Sequence, residues 1–186
     1  MSAPIRRGPP FPRRYRVRVP KPLNLPFDPI ARAGDLWERR WGRSPAMLAV
    51  TSIMRAQAIL IAELDALLKP YDLTFARYEA LVLLTFSGKG ALPLSKIGER
   101  LMVHPTSVTN TIDRLERQGY VLRRPNPRDG RGVLAEITPS GRDTVERATR
   151  DLMAADFGLG AYDEEEQGRI FDVLRSLRVT AGDFQD

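Results

Sequence analysis

The sequence predicts a mainly α-helical fold that carries one small β-hairpin, and three observations predict it. Two short helix-forming segments, 94–101 and 105–118, are separated by the tight turn Met102-Val103-His104. Two β-like runs, 120–124 and 132–137, follow around a turn-rich tip, Pro125-Asn126-Pro127-Arg128-Asp129-Gly130-Arg131. Longer stretches with a helical apolar period flank this unit on both sides. Short helix, tight turn, helix and hairpin in that order make a winged helix-turn-helix plan.

Each element has a local cause. Residues 1–27 are rich in Pro and Arg, lack a helical period and read as an extended basic arm. Asp28 caps a short helix with Pro29 in its first turn, running to about Trp41. From Ala46 to Leu68 the apolar residues Val50, Ile53, Met54, Ile61, Leu64 and Leu68 recur at helical spacing, and Lys69-Pro70 ends the run. Thr74 is the expected cap of the next helix, whose Phe75, Tyr78, Leu81 and Leu84 point mostly inward, and Gly88-Lys89-Gly90 breaks it. After the hairpin, Thr138-Pro139 opens a helix to about Asp156. Asp163 with Glu166 forms a capping-box start for a last helix with Ile170, Phe171, Leu174 and Leu177 on one face. The expected organisation is an arm over 1–27, dimerisation helices over 28–69 and 138–182, and a DNA-binding lobe over 72–137.

Composition narrows the function. The 186 residues suffice for one domain with a substantial core. Cysteine is absent, which removes disulfides, thiolate metal sites and thiol redox sensing. No run of 18 or more consecutive apolar residues occurs, and the basic N-terminus precedes no apolar signal core, so a cytoplasmic protein without a membrane span is expected. No P-loop, HExxH, GxSxG or dinucleotide fingerprint is present, and a single His leaves most nucleophile–base pairs unavailable. No enzyme, metal or cofactor is therefore expected, although a carboxylate-only site is formally open. The net charge of +6 is unevenly spread: +7 over 1–27, +1 over 28–93, +4 over 94–131 and −6 over 132–186. A basic middle beside an acidic end suggests one face for a polyanion.

At 100° per residue, Val108, Ile112 and Leu115 fall on one side of the 105–118 helix and must pack inward. Thr106, Asn110 and Arg117 fall opposite, flanked by Ser107, Asp113 and Arg114. A small, polar outer face suits entry into the major groove and hydrogen bonding to base edges. An ordinary amphipathic helix would show the same stripe, but not the turn before it and the hairpin after it. A winged domain used only for protein contacts would carry an acidic or apolar outer face instead. His104, just before Pro105, reads as a helix cap or a phosphate contact. At the hairpin, Arg128 and Arg131 stand at the tip and Arg123 and Arg124 at the base. Arg128 is placed to reach a minor groove, where the potential is most negative. Asp129 fits if it pairs with Arg131 and fixes the loop; a plain Asp-Gly turn is the alternative.

The stretch Ala91 to Arg142, with HPTSVTNTIDRLERQGYVLRRPNPRDGRGVLAEITPSGR, resembles the MarR family of bacterial regulators. The recognition helix, the Asp-x-Arg wing (Asp129, Arg131) and the opening of the next helix (Thr138, Pro139, Gly141) stand at family spacing, and the resemblance covers roughly 46–182. It implies a triangular homodimer, a palindromic double-stranded DNA site, and repressor behaviour of the family type. It also implies base contacts by Thr106, Ser107, Thr109 and Asn110 and a wing contact by Arg128, with His104, Pro105, Arg114 and Arg124 beside them. Many members carry Arg where this chain has Asn110, so base preference does not transfer.

The apolar stripes at both ends of the chain exceed what one winged lobe covers, which independently favours two-fold pairing. The resemblance further implies a small phenolic or anionic effector. An extra N-terminal helix with Asp35, Trp37 and Trp41, together with Glu79 and Arg123, is partly similar to a urate-responsive subfamily. Thr111 replaces that subfamily's recognition-helix Arg, and Glu79 replaces its usual Asp. The alternative is that Trp37 and Trp41 staple the extra helix to the core. The basic arm has two open roles, displacing counterions from DNA or lying along the partner subunit through Phe11, Tyr15, Val17 and Val19.

Overall fold

A computed structural model describes residues 23–127 and 132–185. The basic arm falls almost wholly outside these, as do Arg128, Asp129 and Arg131. Helix α1 (Pro29–Trp41) starts where Asp28 Oδ1 accepts from Ile30 N at 2.8 Å. Helix α2 (Pro45–Leu68) is capped by Ser44 and passes into a 3-10 turn, Lys69–Tyr71. Helix α3 (Phe75–Phe86), strand β1 (Ala91–Pro93), helix α4 (Leu94–Leu101) and helix α5 (Pro105–Arg117) follow. Strands β2 (Val121–Pro125) and β3 (Val133–Ile137) precede helix α6 (Pro139–Ala154), and helix α7 (Glu164–Ala181) ends the fold. The expected caps at Asp28, Thr138 and Asp163 are all made, Asp163 with Glu166 as a full capping box.

Three features differ from expectation. The β unit has three antiparallel strands in the order β1-β3-β2, where a two-stranded hairpin was expected. Residues Ala91, Leu92 and Pro93 oppose Glu136, Ala135 and Leu134, covering the second edge of β3. The cap of α3 comes from elsewhere as well. Thr74 makes no side-chain cap bond; Asp65 of α2 accepts from Phe75 N at 2.7 Å. The third concerns the segment Pro45–Tyr71: no span was expected, because no run of 18 consecutive apolar residues occurs. It is long and apolar enough, by length and composition, to cross a membrane. Scattered Arg55, Glu63 and Asp65 interrupt every long apolar run, yet the average stays high because Ala, Leu and Ile fill the gaps.

The core lies where the winged unit meets α2, α3 and α6. Leu64, Leu67 and Leu68 of α2 are buried with Tyr78, Leu81 and Leu84 of α3. Ile97, Val108, Ile112 and Leu115 close it from the helix-turn-helix, Val121, Ala135 and Ile137 from the sheet, and Val145, Ala148 and Leu152 from α6. The N-terminal half of α2 behaves differently: Val50, Ile53, Met54, Ile59 and Ile61 are exposed. No residue of α1 or α7 is buried, and Leu36, Phe171, Val173 and Leu177 face solvent.

The join between the winged unit and α6 is tight. Thr138 Oγ1 donates to Gly119 O at 2.8 Å and accepts from Gly141 N at 3.0 Å. Thr138 N donates to Tyr120 O. A Cβ at position 141 would collide with the carbonyl oxygen of Tyr120 and press on Ile137. Gly141→Ala should therefore destabilise the fold by about 1–3 kcal/mol through overpacking, read as a lower urea midpoint with an unchanged slope. Glu63 gives a pH-dependent counterpart. Its half-buried carboxyl lies against Gly158, and burial raises its pKa. Ionising it costs stability above the raised folded value, and that cost vanishes as pH falls below the unfolded value. Glu63→Gln should melt higher than the parent at neutral pH and lose the advantage below about pH 4.

Candidate nucleic-acid interface

Helix α5 is oriented by what it buries. Val108, Ile112 and Leu115 are inside, against α3, α4 and β2. Thr106, Ser107, Thr109, Asn110, Arg114 and Arg117 are consequently exposed together on the opposite side. Its entry is set by Met102 in the left-handed region (φ 55°), where Val103 N reaches back to Gly98 O at 3.1 Å. His104 Nδ1 accepts from Thr106 N at 3.3 Å, so this residue is the N-cap of α5. Pro105 occupies the first helical position and stays exposed. Thr109 Oγ1 donates to Pro105 O at 3.2 Å, which leaves its oxygen available as an acceptor.

Two acids sit among the bases of α5, and one residue of β2 takes both. The Arg123 guanidinium is ion-paired with Asp113 and lies 2.5 Å from Glu116 Oε2. Arg123 N also donates to Glu116 Oε1 at 3.2 Å. Partial burial works against the Arg123 charge, but the hydrogen bonds and attraction of the two carboxylates outweigh it and raise its pKa. Arg123, expected beside an effector pocket, thus has its fork engaged by α5. Arg124 leans across the sheet to Glu136, 3.0 Å away, and stays exposed. The wing closes where Asn126 N donates to Gly132 O at 2.9 Å. The expected Asp129–Arg131 pair and the Arg128 groove contact lie outside the described residues.

The other residues expected at a pocket are Trp37, Trp41 and Glu79. Trp37 and Trp41 pack on each other with ring centres 4.7 Å apart, and Trp41 is 69% exposed. Their helix rests on α2, where Gly34 meets Leu48. Glu79 stands at the surface of α3, yet its surroundings withdraw enough water to raise its carboxyl above the ordinary range. A cleft of about 770 Å³ lies between the start of α3 and the outer side of α5, and none of Trp37, Trp41, Glu79 or Arg123 lines it. Asn110, Arg114, Arg117 and Gln118 form one wall; Asp72, Thr74 and Arg77 form the other. Gln118 Nε2 ties the walls together, donating to Asp72 O at 2.6 Å and to Asp72 Oδ2 at 2.8 Å. Arg77 had no signal in the linear sequence, because the α5 residues that share its cleft lie more than thirty positions away.

Arg123→Ala should lower stability by about 0.5–1 kcal/mol, the scale of a partly exposed ion pair. It should also weaken DNA binding by leaving Asp113 and Glu116 uncompensated on α5. Adding Asp113→Asn and Glu116→Gln to that variant should restore affinity, measured by fluorescence anisotropy.

The sequence pattern of the MarR family matches residues 75–133, from the first residue of α3 to the first of β3. YhbI of Bacillus subtilis, an uncharacterized HTH-type transcriptional regulator, is 31% identical over 119 residues, 64% of this chain and 72% of that protein. Sco5413, a MarR family transcriptional regulator from Streptomyces coelicolor, superposes with a TM-score of 0.72 at 71% identity, over 76% of this chain and 99% of that one. Sco3205 from the same organism, a MarR family regulator solved in complex with DNA, shares the fold with a TM-score of 0.67 at 24% identity, over 74% of this chain and 88% of that one. Near-complete coverage of a solved relative at high identity, joined to a helix-turn-helix followed by a wing, leaves one conclusion: the chain belongs to the MarR family of transcriptional regulators.

Proposed function

We propose that this protein is a homodimeric repressor that reads a palindromic double-stranded DNA site with α5 and steadies itself with the wing. The observation that carries the reading is the sorting of α5, apolar side buried and a small polar side exposed from Thr106 to Asn110. Such a surface fits the major groove, and amide and hydroxyl groups there discriminate base edges. In this reading His104, Pro105, Thr106, Ser107, Thr109, Asn110 and Arg114 serve reading and positioning, and Arg124, Arg128, Asp129 and Arg131 are the residues assigned to wing contacts. A protein with this task works where the chromosome is, in the bacterial cytoplasm.

The dimer rests on the unburied apolar surface of the first and last helices. Val50, Ile53 and Met54 on α2 and Phe171, Val173 and Leu177 on α7 face solvent in a single chain. Pairing two copies would remove this surface from water, and it accounts for the high hydropathy of α2 without a bilayer. Release of DNA by a small aromatic or anionic effector completes the reading. It is supported by the partly desolvated Glu79 and the exposed Trp37–Trp41 pair.

Asn110→Ala should relax preference at one base pair of a selected site by about 1–3 kcal/mol while random DNA binds nearly as before. Equal losses on both would show that Asn110 reads no base. Half-sites should lie about 10 bp apart, centre to centre. Ile53→Glu should shift sedimentation from dimer towards monomer and weaken palindrome binding. A parent protein that sediments as a monomer at micromolar concentration, with full affinity, would overturn the dimer.

A further inference from the structure

The cleft beside α5 has a lining that decides its ligand class. Every residue named on its walls is polar or charged, Thr111 included. Sites for small aromatic molecules bury most of the ligand against apolar side chains, and this cleft offers none. It offers guanidinium groups from two helices: Arg77 of α3, and Arg114 and Arg117 of α5. Arg77 Nε donates to Thr74 Oγ1 at 3.3 Å, and Arg117 Nε donates to Asp113 O at 3.2 Å. Each guanidinium is thus steadied at Nε while its two terminal nitrogens make no hydrogen bond or salt bridge among the described residues. A planar fork held this way matches the oxygens of a phosphate.

The nearby acids are occupied. Asp113 and Glu116 are held by Arg123, and the one carboxylate in the cleft, Asp72, is held by Gln118. With three guanidiniums against that carboxylate, the cleft is positive and adjoins Asn110 on the exposed side of α5. An anion seated there would lie next to the base-reading surface. On this basis, and resting on the DNA-binding role proposed above, we propose that Arg77 and Arg117 jointly hold a phosphodiester of the DNA backbone at the edge of the half-site. They would be positioning residues: α5 reads bases, and this pair sets its register and depth in the groove.

The test measures anisotropy of the full chain on a selected DNA fragment and on random DNA across a salt series. The parent protein is run first; absence of any DNA binding by it would defeat the proposed function itself, before the variants are compared. With binding established, Arg77→Gln and Arg117→Gln should each weaken both DNAs by about ten-fold near 0.1 M salt. Each should also flatten the slope of log K against log salt by about 0.9. Arg77→Lys and Arg117→Lys keep the charge, so they should retain most of the slope; they also carry the comparison if a Gln variant fails to fold. Urea midpoints check that the variants are folded. Unchanged affinity and slope in both Gln variants would overturn the proposal, as would a loss confined to the selected site. Inorganic sulfate provides the remaining arm. If it displaces DNA more than chloride of equal ionic strength, through Arg77 and Arg117, while both Gln variants keep the parental slope, the cleft holds a free anion and the backbone assignment is overturned.

Discussion

Burial of Val108, Ile112 and Leu115 is the constraint on which the rest of the structure depends. Full burial of side chains of this size is worth about 1.5–3 kcal/mol each. The His104 cap at the start of the same helix is worth on the order of 1 kcal/mol. Packing therefore sets the rotation of α5, and capping sets only where it begins. Once those three residues are inside, Thr106, Asn110 and Arg114 have no choice but to face out. Gly98 assists by allowing α4 to approach Val108 closely; a Cβ there would come within 3.2 Å of Val108 Cγ2.

The same rotation divides the charges of α5 between two flanks. Asp113 and Glu116 turn towards β2, where Arg123 pairs with both and offsets half of their charge. Arg114 and Arg117 turn towards the cleft and the first turn of α3, where Asp72 is the one carboxylate among the described lining residues. A helix that alternates acid and base over five residues thus turns its acids towards its own sheet and its bases outward. This matters because electrostatic affinity for DNA depends on cations that retain their charge near phosphate. Cations already spent on acids contribute much less.

Helix α2 connects this lobe to the remainder of the chain, and its two halves do different work. The C-terminal half places Leu64, Leu67 and Leu68 in the core and lends Asp65 to cap α3. The N-terminal half exposes Val50, Ile53 and Met54 beside the equally exposed apolar residues of α1. A shift of α2 in the proposed dimer would be transmitted to α3 through the Asp65 bond and the leucine contacts. Helix α3 carries both Arg77 and Glu79.

By itself the sequence determined what short-range chemistry controls. The bounds of α4 and α5, the caps at Asp28, Thr138 and Asp163, and the inward stripe of α5 were all legible. Each depends on residues no more than about one or two turns apart. Tertiary structure decided the rest. Strand β1 is three residues long, Ala91-Leu92-Pro93, with no alternation to mark it; it exists because β3 has an edge to pair. Asp65 replaces the expected Thr74 cap because packing of α2 on α3 brings its carboxylate to Phe75 N. Arg123 looked available in the linear sequence, and it became committed only when β2 docked beside α5. Arg77 and Arg117 share a cleft solely because α3 and α5 pack side by side. Local signals report the conformation of a segment, whereas the partner of a charged side chain is set by which segments the buried core draws together.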